Sequence, residues 1–129
     1  MAAQLGIPVL LVALVGAVAT PIATTTGEQL QANLPANPLL QVHADLGSML
    51  TPYAVAFAVL VAAAVLVELS TARVAVSAGS HAATPPTPGR SRLAGVLAAL
   101  AALAGIWVTY LVVRIGHAGA TVVWQGIGQ

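Results

Sequence analysis

Three long stretches of this chain are almost free of charge, and that feature decides most of what it can fold into. The first, Ile7 to Ala23, reads IPVLLVALVGAVATPIA; the second runs from Pro38 to about Leu69, and the third from Leu93 to Val113. A bilayer core takes about 20 apolar residues per helix, so each stretch is long enough to cross it. Hydrophobic residues make up 59% of the 129 positions and charged residues 5%, too little polar surface to coat a soluble domain. The expected fold is all-α, a bundle of three transmembrane helices over about 7–27, 38–69 and 93–115, forming one integral membrane domain across residues 1–129.

The punctuation between the spans refines this. Pro8 falls in a first turn, where a missing N–H is harmless, whereas Pro21 is placed to kink or end the first helix, with Thr24-Thr25-Thr26-Gly27 closing it. Ala17-Val18-Ala19 resembles a signal-peptide cleavage site, but no Lys or Arg precedes the apolar run, which favours a retained span. Glu28 to Asn37 is a polar connection, and Asn37-Pro38 reads as an N-cap followed by the first helical residue. A helix from there to Leu69 is roughly 48 Å long, so its first turns must stand in the interface. Ser70 to Arg92, with its TPPTPGR sequence, has the chemistry of a mobile loop. The glycine-spaced tail after Arg114 is too short to cross again, and whether the third helix reaches Trp124 is left open.

Charge sets an orientation. Arg73, Arg90 and Arg92 lie between spans two and three, whereas the opposite side has Arg114 with Glu28 and Asp45. The positive-inside rule makes the arginine-bearing loop cytoplasmic, the N-terminus cytoplasmic and the C-terminus external. In a bacterial cell the expected location is the inner (plasma) membrane. A net charge of +1 offers no nucleic-acid footprint; the bilayer, other membrane subunits or further copies of the chain are the expected partners.

Polar groups gather at the outer side. Taking Ser48 and Val112 as the outer edge, His43 and His117 each lie about five residues beyond it on neighbouring antiparallel helices, where they could converge. Tyr110, Arg114, His117, Thr121 and Trp124 follow helical three-four spacing on one face. Two imidazoles could hold a haem b iron or a divalent metal, with His43 and His117 as ligands, or could bond a quinone headgroup; Arg114, Tyr110 and Glu28 are the neighbouring polar groups, and Gly47 leaves room for a flat ligand. The plainer reading is interfacial: Arg114 snorkels or pairs with Glu28 or Asp45, the histidines face water, and Trp124 joins the aromatic belt. His81, among Ser and Ala, is excluded from any site, and Glu68 at the inner end of span two is accounted for by pairing with Arg73, Arg90 or Arg92. With no cysteine, thiolate chemistry is closed, and no Ser/His/Asp set or carboxylate dyad suggests an independent enzyme. Ala101 and Gly105, four apart, would let two helix backbones approach closely.

Several segments resemble a bacterial family of small multi-pass membrane proteins defined only as a domain of unknown function. They are the Thr26-Gly27 step, the helix-opening His43, the arginine-bearing inner loop and the terminal GHAGATVVWQGIG, with Trp124 where the family more usually has Tyr and Gly126 and Gly128 as the closing glycines. The resemblance implies a multi-pass bundle. Family members usually begin with a further helix bearing a His-Pro motif, which this chain lacks, and some occur with redox modules of the Rieske type, which implies electron transfer. Two functions are therefore expected: a membrane component of a redox or respiratory-type system binding haem b or quinone at its outer face, or a non-catalytic structural or accessory subunit of a larger membrane complex.

Overall fold

In a computed structural model, which describes residues 2–77 and 88–126, the chain folds into three helices, α1 (Ala2–Gln31), α2 (Pro38–Ser77) and α3 (Pro88–Gly126). Each is long and apolar enough to cross a membrane. At about 1.5 Å per residue they measure roughly 45, 60 and 58 Å, so all three outreach a hydrocarbon core of about 30 Å.

The helices run further than the sequence suggests. Pro21 does not end α1, which continues through Thr24, Thr25, Thr26 and Gly27 to Gln31. The threonine hydroxyls turn back onto their own helix: Thr24 donates to Thr20 O at 3.0 Å, Thr25 to Pro21 O at 3.0 Å and Thr26 to Ile22 O at 2.8 Å. Hydroxyls that bond back to their own helix carry no unmet polar demand into lipid. Likewise Ser70–Ser77 and Pro88–Arg92, expected as loop, are helical. His81 and most of TPPTPGR lie outside the described residues. The α2 start is as read from Asn37-Pro38: Asn37 Oδ1 accepts the Leu39 N–H at 2.9 Å, so the N-cap is made. The third helix passes Trp124 and its preceding glycines to Gly126.

Among the described residues α2 packs against both neighbours, and α1 and α3 do not meet. The buried residues are Ala13, Ala54, Ala58, Val61, Val65, Ala101 and Leu111, none larger than leucine, and no polar side chain is buried with them. Small side chains permit close backbone approach, which drives helix association where lipid is as apolar as the core. Gly105 shows it: a methyl group there would stand 3.2 Å from Phe57 Cε2 of α2. The spacing of Ala101 and Gly105 thus marks a real contact surface. The large apolar residues, among them Val12, Leu66, Leu103 and Ile106, face outward, where lipid replaces a protein core.

Candidate functional site

Because α1 and α3 flank α2 without touching, a trough runs along α2 between them. Its floor follows a strict alternation of four and three residues on α2: His43, Gly47, Leu50, Ala54, Phe57, Val61, Ala64 and Glu68. That repeat keeps one face turned toward the trough along the whole helix. Ala54 is closed over in the middle, leaving an open groove at each end.

The outer groove has a volume of about 360 Å³. Gly16, Thr20, Ala23 and Gly27 of α1 form one wall, Gly47 and Leu50 the floor, and Glu28, Gln31 and His43 the polar end. A methyl group added at Gly16, Gly27 or Gly47 would meet nothing within 4 Å. The end is tied by Gln31, whose Nε2 donates to Gln41 Oε1 at 3.0 Å, and deeper in, the Thr24 and Thr51 hydroxyls lie 3.2 Å apart across α1 and α2.

His43 is held by a specific contact. Its Nδ1 lies 3.1 Å from the carbonyl oxygen of Ile115 on α3. A carbonyl has no proton to give, so Nδ1–H donates, and in the neutral ring Nε2 is left as an acceptor. The ring packs closely on Gly119, where a methyl group would stand 3.0 Å from His43 Cε1 and 3.2 Å from Nδ1 and so crowd it. One ring thus joins α2 to α3 and lines the groove between α1 and α2.

The structure does not bring His117 to this place. Ile115 and Gly119 face His43, and His117, midway between them, lies about 180° round the helix and is exposed. His43 and His117 therefore do not converge on one haem or metal ion within one chain, and among the described residues no three His, Cys, Asp or Glu side chains converge as a metal site. Tyr110 and Arg114 also stand apart from His43. Tyr53 meets Trp107 edge-on with centroids 6.1 Å apart, Trp107 leans on Tyr110 at 5.6 Å, and the Arg114 guanidinium lies over the Tyr110 ring at 6.0 Å. From Trp107 onward this ladder, continued by His117 and the 80% exposed Trp124, occupies the outward stripe of α3. Arg114 thus finds an aromatic face, and Asp45 accepts from Gln41 Nε2 at 2.9 Å. The stripe has the composition of an interfacial belt.

Sequence reasoning passed over Gly119 and the wall of α1. Both carry a signal: Gly6, Val9, Ala13, Gly16, Thr20, Ala23 and Gly27 repeat at three and four, all but one of them small. The inner groove, about 390 Å³, lies between α1 and α3 at the other end of the same seam, and among the described residues Glu68 is its one ionisable lining residue. Arg90, expected as a partner of Glu68, places Nη2 3.4 Å from Ser70 Oγ instead.

Comparison of the chain with family models, with curated proteins and with solved structures returns no match.

Proposed function

We propose that the protein is a multi-pass component of the bacterial inner membrane that binds the headgroup of a quinol-class ligand in its outer groove, as part of a redox or respiratory-type system. The carrying observation is His43: Nδ1 is occupied by Ile115 O, and the ring lines an open groove with Nε2 as an acceptor. A hydroquinone hydroxyl is a donor of matching polarity, and a small-residue wall with three polar groups at one end suits a flat ring with an apolar tail. Haem b is the less favoured cofactor, since among the described residues no second histidine joins His43 at the groove. Binding of decyl hydroquinone to detergent-purified protein tests the reading. Saturable binding weakened at least ten-fold by His43→Ala, about 1.4 kcal/mol, is expected; binding indifferent to that change refutes it.

The second reading, an accessory subunit without chemistry of its own, is favoured by the row-like arrangement in which α1 and α3 each pack on α2 alone, leaving broad apolar flanks for other subunits or further copies. Co-purification of a stable heteromeric partner in mild detergent supports it.

In either case the three inner arginines support a cytoplasmic N-terminus and an external C-terminus. The chain has no cysteine, so single substitutions are clean probes. External thiol labelling should reach Ala36→Cys and spare His81→Cys; the reverse pattern inverts the topology.

A further inference from the structure

The inner groove offers chemistry opposite to that of the outer one. Its walls are apolar: Gly6 and Val9 come from α1, Phe57 and Ala64 from α2, Ala98 and Ala101 from α3. Into this surface a single carboxylate projects, with Glu68 Oε2 3.9 Å from where a methyl group on Gly6 would stand. Glu68 is half-buried, and of the arginines expected to pair with it, Arg90 instead places Nη2 3.4 Å from Ser70 Oγ, which lies about 160° round α2 from Glu68, outside the trough. Arg73 is exposed. A carboxylate at the margin of lipid calls for a positive partner, since an unpaired charge there is expensive.

Depth fixes the shape of that partner. From Glu68 to Phe57 the groove runs eleven residues of α2, roughly 16 Å, which is about half the thickness of the hydrocarbon core. It therefore spans one leaflet, with its charge at the water-facing end and its apolar length directed toward the bilayer centre. Gly105 and Ala101 keep α3 close to Phe57 at the blind end.

We infer that the inner groove is a binding site for a single-chain cationic amphiphile, its ammonium head on Glu68 and its alkyl chain along the seam from Ala64 to Phe57. The site is independent of the His43 groove and of the ligand proposed there. A neutral amphiphile of the same length gains only the apolar part of the interaction, so charge selectivity is the signature.

Equilibrium binding of radiolabelled dodecyltrimethylammonium to the full chain in maltoside micelles, with dodecanol as the uncharged comparison, provides the test. Saturable binding of the cation at least ten-fold tighter than dodecanol is expected, weakened at least ten-fold by Glu68→Gln and largely kept by Glu68→Asp. Ala98→Phe, at an exposed position of the groove wall, should block both ligands while leaving helicity unchanged by circular dichroism. Equal affinity for cation and alcohol, or a Glu68→Gln protein that is folded and binds the cation as before, overturns the proposal.

Discussion

The two ends of the trough share a floor helix and a repeat, yet they differ in how their ionisable group is held. At the outer end His43 is fixed across a helix–helix contact: its Nδ1–H is given to Ile115 O and its ring is seated where Gly119 has no side chain. At the inner end Glu68 stands against an apolar wall, and the nearby Arg90 bonds Ser70 instead. The imidazole is thus part of the packing, whereas the carboxylate is an addition to it. The difference teaches that helical register decides whether a polar residue is structural, available, or both, and His43 is both.

Filling the His43 seat should have the largest effect. Gly119→Leu must push the imidazole off Ile115, and overpacking plus the lost hydrogen bond is expected to destabilise the bundle by about 2 kcal/mol, read as a lowered Tm in detergent. Hydroquinone binding should fall with it. An unchanged Tm would mean the two helices are not joined there.

His43→Ala removes the same hydrogen bond without overpacking, and about 1 kcal/mol is expected from the unfolding transition. By contrast, Glu68→Gln should keep or raise Tm, because no packing depends on the charge and the substitution removes a carboxylate that is costly at the margin of lipid. A larger loss at Glu68 than at His43 would reverse the comparison.

Gly47→Leu separates binding from packing. A side chain there enters open space, so Tm should hold or rise slightly, since leucine favours a helix over glycine by up to about 1 kcal/mol, while hydroquinone binding drops at least ten-fold. A stable Gly47→Leu protein with unchanged binding would locate the ligand elsewhere.

The smallest effect is expected at Thr51→Val. It removes the 3.2 Å contact with Thr24, whose hydroxyl still donates to Thr20 O. About 0.6 kcal/mol, the usual worth of a hydrogen bond between membrane helices, should be lost in a thermal melt.

Composition and the three nearly uncharged runs were sufficient to read the helices and their number, because lipid permits few alternatives to a helix. The Asn37-Pro38 start was equally legible, since a cap is a local interaction. Helix ends were harder: Pro21 and the Thr24–Gly27 step carry breaker chemistry, yet α1 runs through both to Gln31, because a local breaker signal does not by itself outweigh the helix that lipid demands. The histidine pair illustrates the limit for sites. Residue counting put His43 and His117 at one depth, but depth leaves rotation undetermined, and the Gly119 seat places His117 on the far side of α3. The four-three repeat from His43 to Glu68 was available in the sequence; what it lacked was any sign that α1 and α3 would leave that face open.

Nitrogen NMR of the protein labelled with ¹⁵N-histidine, with His43→Gln assigning the resonance, tests the outer site most directly. The His43 spectrum should show a protonated Nδ1 and an unprotonated Nε2, with the Nε2 signal moving on addition of decyl hydroquinone and the Nδ1–H signal staying in place. A ring protonated at Nε2 instead, or one whose two nitrogens ignore the ligand, would contradict both the seat and the function assigned to it.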